Sequence, residues 1–152
     1  MLAVVGLFAL LPAWLALVQL QTNSVLLLVL LGVVWIADSA AYFTGRAVGR
    51  HKLAAAISPG KTWEGVAGAL IAVTVYALGL HFSGFFSRGA LIVVAAFLGM
   101  TCLSIVGDLF ESWLKRSAGV KDSGRIFPGH GGMLDRIDAV VAALPAGAFI
   151  FF

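Results

Sequence analysis

One segment of this apolar chain, residues 112–138, concentrates the side chains that phosphate chemistry requires. Its charged and imidazole residues are Lys115, Arg116, Lys121, Asp122, Arg125, His130, Asp135, Arg136 and Asp138. Charge is costly beside a membrane, so a dense mixed-sign cluster there usually marks function. Lysine and arginine bind phosphate, paired carboxylates bind a divalent metal, and glycines let backbone N–H groups approach an anion. The segment therefore predicts a nucleotide or phosphate site at a membrane surface.

Carboxylates also occur within or beside the apolar stretches, at Asp38, Asp108 and Glu111. Residues three, four or seven apart share a helix face, so Asp108 and Glu111 are predicted on one stripe and Asp135 and Asp138 on another. Like charges repel unless a cation lies between them, and Mg²⁺ prefers carboxylate oxygens. Structural salt bridges with neighbouring lysines and arginines are the alternative. The role of Asp38 and the number of metal ions, one or two, stay open.

Two glycine-containing segments lie beside the predicted helices. The turn Pro128–Gly132 precedes the last apolar stretch, and a turn of this kind before a helix N-terminus forms an anion cradle. Its His130 could donate to phosphate or carry a proton. The segment Ser58–Gly65 contains Gly-Lys-Thr but is no P-loop, because Ala55 occupies the earlier glycine position and no strand is predicted before it. Helix capping and ligand binding remain equal alternatives for this segment.

The composition predicts the elements that must position these residues. Of the 152 residues 61% are hydrophobic and 11% charged, with a mean hydropathy of +1.05, whereas soluble domains are about 25% charged. We predict an all-α, polytopic transmembrane bundle of about five helices in a single domain. The helices are predicted at about residues 1–20, 25–45, 65–86, 89–111 and 134–152, joined by charged loops at about 46–64 and 112–133.

The basic residues are unevenly distributed between the predicted loops. Eight lie in the two charged loops, at Arg46, Arg50, Lys52, Lys61, Lys115, Arg116, Lys121 and Arg125. The segments on the other side contain only Arg88. By the positive-inside rule both charged loops face the cytoplasm, where they also suit anionic membrane lipids. With no soluble basic surface, nucleic acid is not expected as a partner.

Two stretches of this sequence resemble the motifs of a known enzyme family. The segment 112–138 resembles the signature of the CDP-diacylglycerol synthases, or phosphatidate cytidylyltransferases. The matching positions are Ser112, Lys115, Arg116, Lys121, Asp122, Gly124, His130, Gly131, Gly132, Asp135, Arg136 and Asp138. A second stretch is similar to the same family, at Asp38-Ser, Tyr42-Phe, Gly45-Arg, Gly49-Arg and Ser58–Gly65. Members usually carry additional N-terminal transmembrane helices, so the chain is expected to represent the C-terminal, motif-bearing part.

The resemblance implies the transfer of CMP from CTP to phosphatidate, which gives CDP-diacylglycerol and pyrophosphate. It implies catalytic roles for Asp108, Lys121, Asp122, His130, Asp135 and Asp138, with Mg²⁺ held by Asp108, Asp135 and Asp138. It implies substrate contacts from Ser58, Lys61, Thr62, Lys115, Arg116, Arg125, Gly131, Gly132 and Arg136. The expected location is the bacterial inner membrane with the site facing the cytoplasm, and a homodimer is one candidate assembly.

Four other functions compete with this interpretation. A polyprenol kinase would release CDP and a phospholipid, and an archaeal-type lipid cytidylyltransferase would act on a different lipid. A non-catalytic fragment or assembly subunit would lack turnover altogether. An ion or proton transporter would use the intramembrane aspartates but has no need of the turn Pro128–Gly132.

Overall fold

The computed structural model describes the backbone of residues 2–120 and 134–152, and the side chains of residues 10–120 and 137–152. Within the described residues, five α-helices and one β-hairpin follow one another. Their bounds are α1 (Leu2–Leu20), a 3₁₀ turn (Gln21–Asn23), α2 (Ser24–Val48), β1 (Lys52–Ala54), β2 (Ser58–Thr62), α3 (Trp63–Phe82), α4 (Ala90–Ser117) and α5 (Leu134–Phe151).

The helices have the length and composition of membrane spans. Three stretches of the described residues qualify, namely Leu10–Val48, Trp63–Phe82 and Ala90–Ser117, and Ile137–Phe151 is a shorter apolar helix. Large apolar side chains such as Leu91 and Phe149 point outward, which in a membrane means toward lipid. The prediction of an all-helical membrane protein is thereby confirmed.

The helices pack most extensively as two pairs, α2 with α3 and α4 with α5, and small residues make the close approach possible. A methyl group at Gly65 would lie 2.8 Å from the carbonyl oxygen of Ala41, and one at Gly68 would overlap Thr44. In the other pair a methyl group at Gly107 would overlap the side chain of Ala142. Such small-residue contacts are the usual way in which helices associate in lipid.

An aromatic cluster closes the end of the bundle where α3 joins α4. The rings of Phe86, Phe97 and Phe151 contact one another with centroids 4.8 to 5.9 Å apart. Arg88 extends over the ring of Phe151 and donates to the carbonyl oxygen of Ile150 at 2.5 Å. The opposite end of the bundle, where α2 and α4 end and α3 and α5 begin, holds the polar groups.

The structure adds a hairpin to the segment 46–64, for which the sequence predicts only a loop. Strands β1 and β2 are antiparallel, with Lys52 opposite Thr62 and Ala54 opposite Ser58. Each strand is short, and the sequence Pro59-Gly60 within β2 is unfavourable for a strand. The residue pattern therefore does not predict the hairpin. It is held together by backbone hydrogen bonds between the two strands.

The end of α4 also differs from the predicted boundary at residue 111. The helix continues to Ser117, and Gly119, two residues beyond its end, has a φ of +72° that glycine adopts readily. The N–H groups of Gly119 and Val120 donate to the carbonyl oxygens of Arg116 and Lys115, both at 3.0 Å. This is a Schellman ending, and the two basic residues favour the helix C-terminus electrostatically. Both therefore project from a helix and not from a loop.

The close approach of α4 and α5 gives a first testable prediction. Gly107→Ala should destabilise the bundle by about 1–3 kcal/mol, because the added methyl group overlaps Ala142 and forces the two helices apart. The matched control is Gly99→Ala on the same helix, where an added methyl group meets no atom within 4 Å. Thermal unfolding in detergent measures both. Equal unfolding temperatures for the two variants would contradict the packing described here.

Candidate functional site

A pocket of about 370 Å³ opens among α2, α3, α4 and the hairpin at the polar end of the bundle. One part of its wall is apolar, formed by residues such as Leu53, Val66 and Ile105. The rest carries most of the polar groups that the sequence singled out in this part of the chain. They are Asp38, Tyr42, Ser58, Lys61, Thr62 and Asp108. The mixed lining suits a ligand with both a charged and an apolar portion.

An ion pair between the hairpin and α4 lines this pocket. Lys61 Nζ is 2.5 Å from Asp108 Oδ2, and the two side chains are 23% and 34% exposed. Ser112 Oγ lies 3.5 Å from the other carboxylate oxygen of Asp108. Asp38 of α2 is near enough to interact electrostatically with both members of the pair. Three separate elements thus supply two carboxylates and one ammonium group to a single space.

Thr62 fixes the position of the hairpin against the helices. Its hydroxyl oxygen caps α3 by accepting the N–H of Gly65 at 3.1 Å. Methyl groups at Gly45 or Gly49 would come within 2.9 Å of the same oxygen, so both glycines leave room for it. Capping, one of the two alternatives for this segment, therefore describes the hydroxyl of Thr62. The preceding residue, Lys61, is held toward α4 as a result.

A second contact ties the segment before the hairpin to the start of α3. The carboxylate of Glu64 accepts the backbone N–H of His51 at 3.2 Å and lies 2.7 Å from His51 Nδ1. The N–H of Trp63 in turn donates to the carbonyl oxygen of His51 at 3.0 Å. A negative side chain in the first turn also favours the helix N-terminus. Glu64 therefore holds both ends of the hairpin together.

A second polar cluster, which we call the α4–α5 cluster, comprises Glu111, Lys115 and Asp138. Glu111 is only 7% exposed, and its Oε2 lies 2.8 Å from Lys115 Nζ one helical turn away. The carboxyl group of Asp138, on α5, lies close enough to Glu111 and Asp108 to interact electrostatically with both. The close approach at Gly107 brings these helix faces together, since the carbonyl oxygen of Asp138 lies against that glycine.

Arg116 connects the end of α4 to the tip of the hairpin. Its Nε is 3.5 Å from the carbonyl oxygen of Ile57, which lies in the turn between β1 and β2. This contact links α4 to the hairpin at the polar end of the bundle. Arg116 is exposed, so most of its donors face solvent and are accessible to an anion.

The acidic residues have the chemistry of a site for a hard divalent cation, but the described ones do not complete it. Oε1 of Glu111 and the hydroxyl of Ser104 are buried without a hydrogen-bond partner in the described part of the chain, whereas Oε2 of Glu111 has the ammonium group of Lys115 at 2.8 Å. Among the side chains described, however, no three acidic or histidine groups are placed to hold a metal together. A site shared by Asp108 and Asp138 would therefore need a further ligand. Asp135, one turn before Asp138, is the residue of the right type.

The structure brings together those predicted site residues whose side chains it describes. The positions of the remaining predicted residues stay predictions. Those with described side chains are Ser58, Lys61, Thr62, Asp108, Lys115, Arg116 and Asp138, and all lie at one end of the bundle. The residues outside the described part are Lys121, Asp122, Arg125, His130, Gly131 and Gly132. Asp135 and Arg136 belong to α5, but their side chains are not among those described.

Three residues at the site were not assigned by sequence reasoning. Glu111 was placed on the stripe of Asp108 but given no role, although its spacing of four from Lys115 signalled an ion pair. The role of Asp38 was left open, and it lines the pocket. Tyr42 lines the same pocket, and a tyrosine one turn after Asp38 on the same face was the available signal.

The α4–α5 cluster gives a second prediction. Glu111→Gln should lower stability by about 3 kcal/mol, because it breaks a largely buried ion pair between Glu111 and Lys115. The double variant Glu111→Gln/Lys115→Gln should recover part of this loss, since the effects of two residues in direct contact are not additive. Unfolding temperatures in detergent give the comparison. A double variant with the summed loss of the two single variants would show that the two residues act independently.

Taken together, the fold and the site define a helical membrane protein with a cluster of acidic and basic groups at one end. The whole chain, residues 1–152, matches the model of the cytidylyltransferase family, and the chain belongs to that family. It is 47% identical over 131 residues to the phosphatidate cytidylyltransferase of Haemophilus influenzae, covering 84% of this chain and 46% of that protein. It is 46% identical to the phosphatidate cytidylyltransferase of Pseudomonas aeruginosa over 97% of this chain and 56% of that protein.

A more distant relative carries the same name. The phosphatidate cytidylyltransferase of Staphylococcus aureus is 43% identical over 113 residues, which cover 74% of this chain and 44% of that protein. The chain thus spans about half the length of the curated relatives that it matches.

Proposed function

We propose that this chain, alone or as part of a longer protein, is a phosphatidate cytidylyltransferase that converts CTP and phosphatidate to CDP-diacylglycerol and pyrophosphate. The main support is the pocket in which Lys61, Asp108 and Asp38 meet from three elements of a membrane-embedded bundle. The relatives that cover most of this chain carry the same activity in their names.

The reaction joins two anions, so the site must neutralise charge and align the reactants. A phosphatidate oxygen attacks the α-phosphorus of CTP, a new P–O bond forms, and the bond to pyrophosphate breaks. The second pKa of a phosphomonoester is about 6, so the nucleophile is already largely ionised near neutral pH. No strong general base is required, and positioned cations contribute most of the catalysis.

The residues divide this work between two groups. Lys61, held in the pocket by the hairpin, would contact the phosphate of the lipid, with Ser58 beside it. Lys115 and Arg116, at the end of α4, would contact the triphosphate together with the basic residues and glycines of the segment 121–136. Each of these contacts is a charge-assisted hydrogen bond, which is stronger than a neutral one.

Mg²⁺ is the cofactor that this donor set fits best. Asp108, Asp135 and Asp138 would hold it, and Glu111 lies close enough to Asp138 to orient that carboxyl group. When bound, the ion would neutralise charge on the triphosphate and polarise its phosphorus–oxygen bonds. Without it, the clustered carboxylates repel both substrates.

The proposed location is the inner membrane of a bacterium, with the polar end facing the cytoplasm. The basic residues concentrate at that end and favour this orientation by the positive-inside rule. CTP would then reach the pocket from the cytoplasm while the acyl chains stay in the bilayer. A homodimer stays a prediction, which mass measurement of the detergent-solubilised protein can test.

One assay separates this proposal from its alternatives. The purified chain in nanodiscs should release pyrophosphate and form a CDP-lipid only when CTP, phosphatidate and Mg²⁺ are all present. CDP release with a polyprenol would instead indicate a lipid kinase. CTP binding without turnover, in a folded sample, would indicate that helices absent from this chain complete the enzyme. Neither binding nor turnover would indicate a non-catalytic role.

A further inference from the structure

Arg46 and Tyr42 form a polar pair at the edge of the pocket that the proposed reaction does not yet use. Tyr42 lines the pocket, and its hydroxyl oxygen accepts a hydrogen bond from Arg46 Nη1 at 3.0 Å. Both residues lie on α2, four apart, and continue the stripe that begins at Asp38. The guanidinium group is thus one hydrogen bond away from the pocket wall.

The charge of Arg46 is more available to an incoming anion than the charge of Lys61. Lys61 has Asp108 beside it at 2.5 Å, so its charge is already partly balanced. Arg46 is exposed, and its contact with Tyr42 is to a neutral oxygen. A guanidinium group has five N–H donors, so it can keep the bond to Tyr42 and still bind an anion through two others.

The surface around this pair has the composition expected at the depth of the lipid headgroups. Phe43, next to Tyr42, is 68% exposed and lies edge-on to its ring at 5.4 Å. Trp63, at the start of α3, is 58% exposed. Exposed aromatic rings beside arginine at a helix end are typical of the membrane–water interface. The pocket behind them offers apolar wall from Val66 and Ile105 to a glycerol ester.

From these observations we propose that Tyr42-bound Arg46, together with Lys61, forms the phosphate subsite for the membrane-embedded lipid substrate. The inference rests on the proposed function and deepens it by assigning this pocket to the lipid phosphomonoester and not to the nucleotide. The phosphate lies between the two cations, the glycerol portion contacts the apolar wall, and the acyl chains leave past Phe43 into the bilayer. Tyr42 acts as the positioning residue for Arg46.

Binding measurements test the subsite independently of turnover. The chain in detergent is titrated with dioctanoyl phosphatidate, with dioctanoylglycerol, with inorganic phosphate and with CTP plus Mg²⁺. Arg46→Gln should weaken phosphatidate binding on the order of tenfold, the usual result of losing one charge-assisted contact, and leave CTP binding unchanged. Dioctanoylglycerol, which lacks the phosphate, should bind equally weakly to both proteins.

Three further variants control this result. Arg46→Lys should retain part of the affinity, and Tyr42→Phe, which keeps Arg46 but removes its hydroxyl partner, should show a smaller loss in the same direction. Arg50→Gln removes another exposed arginine, four residues further on, and should bind like the original protein. Tyr42→Phe also preserves the test should Arg46→Gln fail to fold.

Several outcomes would overturn the inference. Unchanged phosphatidate affinity in a folded Arg46→Gln sample would remove Arg46 from the subsite. Equal losses of affinity for CTP and phosphatidate would show that Arg46 binds any phosphate group and is not specific for the lipid. Displacement of phosphatidate by equimolar inorganic phosphate would show that the glycerol and acyl portions do not contribute to binding. Phosphatidate binding that depends on Arg46 in a chain without turnover would instead leave the subsite standing and refute only the proposed reaction.

Discussion

Asp108→Asn is expected to lower turnover by at least about a hundredfold, the range seen when a group that stabilises a charged transition state is removed. Asp108 holds Lys61 at 2.5 Å, interacts with Asp38 and Asp138, and is the proposed metal ligand nearest to the pocket. The asparagine keeps the size of the side chain but supplies neither the charge nor a strong ligand. The measurement is pyrophosphate release at saturating CTP across a Mg²⁺ series.

The control for this experiment is Cys102→Ser on the same helix. Cys102 is an exposed free cysteine, and its replacement tests expression, insertion and helix integrity without touching the pocket. It should retain full activity. If Asp108→Asn stays within a few fold of the original activity at ordinary Mg²⁺ concentrations, the residue neither holds the metal nor matters to charge in the site.

Lys61→Gln is the second change with a large expected effect. We expect kcat/KM for phosphatidate to fall by about a hundredfold, because the change removes a phosphate contact and also leaves the carboxylate of Asp108 without its cation. The thermal unfolding temperature should change little by comparison, since the pair lies at a polar opening where both side chains are partly exposed. Steady-state kinetics with phosphatidate as the varied substrate give the comparison.

Lys52→Gln provides a matched control for this variant. Lys52 belongs to the same hairpin and is exposed, but it does not line the pocket. Its replacement should leave both kinetic constants nearly unchanged. The double variant Lys61→Gln/Asp108→Asn should be less impaired than the two single losses combined, because residues in direct contact are not independent. Full additivity would indicate that the ion pair has no role in the reaction.

The hairpin explains why a basic residue 47 positions from Asp108 reaches it. Thr62 caps α3, Glu64 holds His51, and Gly45 and Gly49 allow α2 to end against the cap. Together these contacts set the direction of Lys61 before any substrate binds. Preorganised cations of this kind cost no reorganisation when charge develops in the reaction.

The sequence by itself determined the class of protein and the kind of chemistry. Uncharged apolar stretches of about 20 residues predict membrane-spanning helices, in which each backbone group is hydrogen-bonded within its own segment, so the helices followed from hydropathy. The type and order of the charged residues in 112–138 identified the family, because both can be read from the sequence without knowledge of the fold. The helix ends were less well determined, because Lys115 and Arg116 can belong to a loop or to a helix C-terminus.

The tertiary structure alone decided which of these residues meet. No spacing along the chain predicts that Lys61 pairs with Asp108 or that Arg46 is held at a pocket edge. Those contacts depend on which helices are neighbours and how closely they approach, and that is set by small residues such as Gly65 and Gly107. Helix periodicity fixes the face on which a residue lies, but only the packing of the helices fixes its partner across the interface.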